Sequence, residues 1–137
     1  MRTLTNDTSV LASIGLDEDG VALARAVDPH PRRQAEGLGV LLQECLTGAG
    51  VVGGAPNAGL DRIVVGVGPG PFTALRAGLA FASALGRGLG LPVLGVPSLA
   101  ALGKRAEGEG VTLVLTDAKR KEVYSAAYRK RRAPSSK

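Results

Sequence analysis

Residues 63–80, Ile63-Val64-Val65-Gly66-Val67-Gly68-Pro69-Gly70-Pro71-Phe72-Thr73-Ala74-Leu75-Arg76-Ala77-Gly78-Leu79-Ala80, pass from an apolar run through a Gly/Pro turn into a helical pattern. The run Ile63–Val67 has the continuous character of a strand buried on both faces. Gly66, Gly68 and Gly70 offer positive φ or close backbone approach, while Pro69 and Pro71 stiffen the turn. Pro71 stands where a first-turn proline is tolerated, and Thr73 is placed to accept a backbone N–H at the helix start. Such a turn aims N–H groups outward at a positive helix end, which suits an anion or another chain. No GK[ST] follows and the GxGxxG spacing is missing, so this is not a phosphate-binding P-loop. Taken physically, the loop states a special backbone and little more, and such a loop is more often only a tight strand-to-helix connection than a binding site.

Working outward, the order of elements is strand, strand, strand, helix, strand, helix, strand, helix, strand, strand. Thr3–Asn6 leads to Asp7-Thr8-Ser9, and Val10–Leu16 and Val21–Val27 flank a turn at Asp17–Gly20, an antiparallel hairpin. Leu38, Leu41, Leu42, Cys45, Leu46 and Ala49 fall on one helical face. Val51–Gly59 has loop composition. Phe72–Gly90 predicts a helix, Pro92–Val96 a second buried strand, and Ser98 a cap for a helix to about Glu107. Val111–Thr116 and Glu122–Tyr128 form a final hairpin around Asp117–Lys121. Three meandering strands followed by helix–strand–helix–strand make an α/β mixed sheet with flanking helices, a unit of the ribonuclease-H-like kind.

The string Gly68-Pro69-Gly70-Pro71-Phe72-Thr73-Ala74-Leu75-Arg76-Ala77-Gly78-Leu79 closely resembles the GPGSFTGLRxGL signature of the TsaB (YeaZ) family of the tRNA threonylcarbamoyladenosine pathway. Asp7-Thr8-Ser9 resembles that family's N-terminal DTS. Arg32-Arg33-Gln34-Ala35-Glu36-Gly37-Leu38 is similar to its helix start, with Gln34 where the family has His. Thr116–Tyr124 resembles its DAR-xEVY hairpin. The likeness runs from about Leu4 to Tyr128, and family members carry a further second half. It implies one unit of the actin, sugar-kinase and heat-shock-ATPase superfamily, in which two such units enclose a nucleotide cleft. On this division residues 1–108 are the first unit, 109–128 a hairpin opening a truncated second unit, and 129–137 a basic, disordered tail. A hairpin of two strands is marginal unless it packs against something.

The 137 residues are enough for one core of Leu, Val and Ala, since 45% are hydrophobic and only 3% aromatic. Cys45 is the single cysteine, which excludes an intrachain disulfide framework; its place in an apolar register reads as a buried, inert thiol. No basic-plus-apolar leader or membrane-length apolar run is visible, so the expected location is cytoplasmic. The net charge of +5 is unevenly spread: residues 1–118 hold 9 Lys and Arg against 11 Asp and Glu, and residues 119–137 hold 8 against 1. The basic end can attract RNA phosphates in a salt-sensitive way, or serve only as a solvated terminus.

Asp7, Thr8 and Ser9, a carboxylate and two hydroxyls at a turn, are candidates for phosphate contact; they also suffice for an ordinary turn that satisfies its own backbone. His30 has no Cys or His neighbours at ligand spacing, so no metal site is expected. No catalytic set is expected, and no cofactor bound by this chain alone. In the long helix, Ala74, Gly78, Ala82, Gly86 and Gly90 recur every four residues beside Leu75, Leu79, Leu85 and Leu89. Each interior glycine costs about 1 kcal/mol relative to Ala, so the small stripe calls for a close packing partner. That partner is either the chain's own sheet and first helix or another protein. The resemblance implies the latter: the first two helices, through Leu38, Leu41, Leu42, Cys45, Phe72, Leu75, Gly78, Leu79, Ala82 and Gly86, would pair with a TsaD-like catalytic subunit or with a second copy. A TsaE-like ATPase, ATP used by the partner complex, and tRNA reached only indirectly complete what the resemblance implies. The competing expectation is a nucleotide-binding half-domain of a kinase-like enzyme, completed by another chain.

Overall fold

The strand β1 (Arg2–Asp7) lies at the centre of a five-stranded sheet, next to β4 (Arg62–Gly66) in parallel and β2 (Ser13–Glu18) in antiparallel pairing. β3 (Val21–Val27) closes one edge and β5 (Val93–Val96) the other, in the order β3-β2-β1-β4-β5. This is a computed structural model, and it describes residues 1–30 and 36–130. The Arg32–Ala35 part of the helix-start motif and the end of the basic tail lie outside the described residues.

Two helices cover one sheet face. α1 (Leu38–Gly48) packs over β2 and β3, and α2 (Phe72–Leu89) over β4 and β1. Strand alternation sends Leu4, Ile14, Leu16, Ile63 and Val65 toward them, where they meet Leu38, Leu41, Cys45, Leu46 and Ala82 in one core. α2 ends where Gly90 takes φ 67°, which lets the Leu91 amide donate to the Gly86 carbonyl at 2.9 Å. α3 (Ser98–Arg105) packs against a separate two-stranded sheet, β6 (Gly110–Lys119) with β7 (Glu122–Lys130). There the Tyr128 ring occupies the space that a side chain at Gly103 would need.

Several local expectations are corrected. β2 starts at Ser13, so Val10 belongs to the connection and is exposed, and the hairpin turn narrows to Asp19-Gly20. The Val51–Gly59 loop holds one 3-10 turn, Ala55–Asn57. β5 is not a buried strand: it is an edge, with Leu94 and Val96 open to solvent on the face away from α2. The final hairpin is longer at both ends than its apolar runs, with Arg129 and Lys130 inside β7 rather than in a tail. Lys119, Arg120 and Lys121 turn the chain in the left-handed region, at φ 62°, 54° and 64°.

Candidate functional site

The motifs converge at the carboxyl ends of the parallel pair β1 and β4. From β1 the chain enters Thr8-Ser9, and from β4 it enters Val67–Pro71, where the Gly68–Pro69 peptide is cis. The two segments touch at Gly70, whose missing Cβ would lie 2.7 Å from the Ser9 carbonyl oxygen. Gly70 is thus needed for close approach, not for an unusual φ. Gly68, at φ 91°, bonds to the start of α3 both ways: the Ser98 amide donates to its carbonyl at 2.8 Å, and its amide donates to Ser98 Oγ at 3.3 Å. Ser98 is therefore the first helical residue with its hydroxyl on the signature loop, and not a cap. Thr73 does not cap either; Pro71 occupies the cap position of α2 without a side-chain bond.

The three residues proposed to contact phosphate point in different directions. Thr8 is 1% exposed and donates its hydroxyl to the Ala74 carbonyl of α2 at 2.8 Å. Asp7 accepts the Ser9 amide on Oδ1 at 2.7 Å, and its carboxyl fills the notch left by Gly66 on the sheet face opposite α2. Only Ser9 lines the larger cleft, about 600 Å³, between the signature loop (Pro69, Pro71) and the hairpin tip (Thr116, Asp117, Lys119, Tyr124). Asp7 instead borders a separate 290 Å³ hollow with Thr5, Ser13, Arg25 and Gly66. Asp7-Thr8-Ser9 thus joins β1 to α2 and to its own turn, and does not form a three-armed phosphate grip.

Asn6 extends that joint. It is 2% exposed and donates Nδ2 to the Gly78 carbonyl at 2.9 Å, leaving Oδ1 without a partner. The polar residue that interrupted an apolar central strand is thus a tether for α2. The Ala74, Gly78, Ala82 and Gly86 stripe faces this sheet and is buried. A Cβ on Gly78 would meet Thr8 Oγ1 at 2.5 Å, and one on Gly86 would collide with the Val93 side chain. Helix and sheet approach closely enough for β1 side chains to reach α2 carbonyls.

The set of helix residues expected at an interface divides accordingly. Gly78, Ala82, Gly86, Leu38, Leu41 and Cys45 are internal. Leu42 and Leu79 are half-buried against the core, and half-buried Leu75 lies against Gly68. Phe72 is 73% exposed, with the Arg76 guanidinium 5.3 Å over its ring. Val40 on α1, absent from the expected set, is 62% exposed. Outward position on a helix is the signal that would have found it.

Burial pushes the Cys45 thiol above its ordinary value, against partly compensating backbone hydrogen bonds from Ala26 and Leu16. His30 Nδ1 lies 3.1 Å from Asp28 Oδ1 at the surface. Among the described residues no group of three His, Cys, Asp or Glu is placed to hold a metal ion. No described helix is long and apolar enough to cross a membrane.

Residues 30–134 match the family model described as TsaD, tRNA N6-adenosine threonylcarbamoyltransferase. The chain is 34% identical over 134 residues to the tRNA threonylcarbamoyladenosine biosynthesis protein TsaB of Escherichia coli K12, covering 95% of this chain and 56% of that protein. This chain belongs to the TsaD-type family, on its TsaB (YeaZ) branch. An uncharacterised protein of Mycobacterium tuberculosis H37Rv is 46% identical over 124 residues, covering 90% of this chain and 56% of the relative. The solved structure of YeaZ from Pseudomonas aeruginosa superposes with a TM-score of 0.78 at 32% identity, covering 95% of this chain and 61% of that one. The fold is accordingly the TsaB-type α/β unit, and the chain spans a little over half the length of these relatives. The TsaB signature lies in the loop described above: its glycines permit the contacts with Ser9 and Leu75, and its Phe and Arg make the exposed pair that opens α2.

Proposed function

We propose that this chain serves as a non-catalytic interaction subunit in forming N6-threonylcarbamoyladenosine on tRNA, by pairing with a TsaD-like catalytic subunit. The observation that carries the reading is the exposed Phe72–Arg76 pair at the start of α2, held by the family signature on a helix whose small-residue stripe is closed against the sheet. An exposed aromatic stacked by a guanidinium is the kind of anchor that dominates protein interfaces. Val40 on α1, over the same face of the sheet but toward the β3 edge beside Val27 and Pro29, is a second exposed apolar residue. ATP, and a TsaE-like ATPase if one takes part, would act through the assembled complex, with tRNA held by the catalytic partner. Thr8 and Asp7 are engaged in holding the fold, which argues against their acting on a substrate.

The test is copurification with a TsaD-like subunit. Phe72→Asp and Val40→Asp should each lower complex yield at least tenfold while the melting temperature stays within a degree or two of the parent. Undiminished pairing in both variants would sink the reading. The second reading, a nucleotide-binding half-domain, is favoured by the 600 Å³ cleft at the carboxyl ends of β1 and β4, where open α/β sheets place ligands. Saturable ATP binding by the chain alone, weakened by Lys119→Ala, would support it over the first.

A further inference from the structure

The β6–β7 hairpin closes on a two-residue turn, Arg120-Lys121, between the paired residues Lys119 and Glu122. Both turn residues have positive φ, 54° and 64°, and so has Lys119 before them, at 62°. Hairpin turns of this kind favour Asn-Gly or Asp-Gly, because a Cβ is crowded in the left-handed region and only short residues enter it readily. Three consecutive cations therefore occupy positions that work against their own turn. Backbone outliers of this sort gather at ligand clamps, where the side chains they hold are used.

The three cations are also unpaired. Each residue is exposed, and the ion pairs among the described residues lie elsewhere, joining Met1 to Asp19, Arg2 to Glu18 and His30 to Asp28. Asp117 accepts the Lys119 amide on Oδ1 at 2.8 Å. Residues 1–118 hold 9 Lys and Arg against 11 Asp and Glu, so the basic excess belongs to this end of the chain. Lys119 borders the cleft across from Pro71, which leads into α2, and the N-terminal end of that helix adds potential of the same sign.

We propose that the hairpin tip is an RNA-backbone contact, in which Lys119, Arg120 and Lys121 bind phosphates of a polynucleotide. Contacts to phosphate position an RNA without reading its sequence, so the tip discriminates little between one RNA and another. That the polyanion is RNA rests on the tRNA role proposed above. The contact itself needs no catalytic partner, and it adds to any attraction from the residues that follow β7.

Fluorescence anisotropy on the full chain, with a tRNA transcript and a mixed-sequence single strand, separates the tip from net charge. Arg120→Asn with Lys121→Gly removes two cations, gives the turn its preferred residues and leaves Lys119 at the cleft. Affinity for both RNAs should fall about three- to tenfold at low salt. The slope of log affinity against log salt should flatten by about 1.5, at roughly 0.7–0.9 per lost phosphate contact. The same variant should melt at or above the temperature of the parent, because the turn is relieved. Lys104→Gln with Arg105→Gln removes two exposed cations from the end of α3 and should change affinity less than twofold. Tip-dependent RNA binding by a chain that fails to pair with a TsaD-like subunit would sink the proposed function and leave this inference standing. An unchanged affinity and slope in the tip variant would overturn the inference, even if that variant no longer bound phosphatidylserine vesicles, which would assign the tip to a membrane surface. An equal loss in the α3 variant would also overturn it, because net charge would then be the whole cause.

Discussion

Gly78→Ala adds only one methylene's worth of bulk to a helix, yet the structure makes it a destabilising change. The new Cβ would sit 2.5 Å from Thr8 Oγ1 and 3.1 Å from Thr8 Cγ2, with Thr8 1% exposed and unable to swing outward. Helix propensity alone favours Ala over Gly by about 1 kcal/mol. Against it stand overpacking, about 1–3 kcal/mol, and the strained or broken Thr8–Ala74 hydrogen bond, about 1 kcal/mol. The net expectation is a loss of about 1–3 kcal/mol, or a fall in melting temperature of roughly 3–4 °C per kcal/mol at this size. Gly88→Ala in the same helix is the control. Nothing lies within 4 Å of its Cβ position, so it should stabilise by up to about 0.5–1 kcal/mol. Thr8→Ala combined with Gly78→Ala should cost less than the two separately, since the first change removes the obstruction to the second. Thermal or urea melts of the four variants decide it. A Gly78→Ala protein as stable as the parent, or one merely unable to associate, would show that the stripe faces outward and that the internal packing argument is wrong.

Gly66→Ala should cost about 1–3 kcal/mol in a urea melt, because its Cβ would fall 2.5 Å from the Asp7 carboxyl and 2.8 Å from Ser98 Oγ; adding Asp7→Ala should recover part of that loss. The Cys45 thiol, raised by burial, stays protonated in the folded chain when the unfolded thiol ionises. Its contribution to stability is therefore complete below about pH 9 and declines as pH rises toward the higher folded value, and a Cys45→Ala protein should lack that component of alkaline denaturation. Native Cys45 should also resist thiol reagents until the chain is unfolded. Affinity for RNA should fall steeply with salt and drop when residues 131–137, which follow β7, are deleted, as measured by fluorescence anisotropy at two salt concentrations; unchanged affinity would locate the RNA site in the rest of the protein.

The order of elements was legible in the chain because periodicity and punctuation are local. Alternation over Val21–Val27, the 3-4-7 recurrence from Leu38 and the Gly/Pro turn before Phe72 each report backbone geometry without needing a partner. The motif blocks were equally legible, and they identified the family on which the fold and the signature loop rest. Boundaries drifted where polar residues continue a strand, as Asp17 and Glu18 do in β2 and Arg129 does in β7. There ladder hydrogen bonds, not side-chain polarity, decide where the strand stops.

Tertiary structure decided what each surface meets. A small-residue stripe states that something approaches closely, but only the placement of β1 against α2 shows that Thr8 and Asn6 are what approach. The apolar run Val93–Val96 looks the same in a central strand or at an edge; its exposure follows from lying outermost in the sheet, where α3 turns to the hairpin instead. Consecutive Asp7, Thr8 and Ser9 look like one constellation in sequence, whereas alternation along and beyond a strand sends neighbouring side chains to opposite faces. Sequence spacing determines which faces exist, and long-range packing determines which of them are closed.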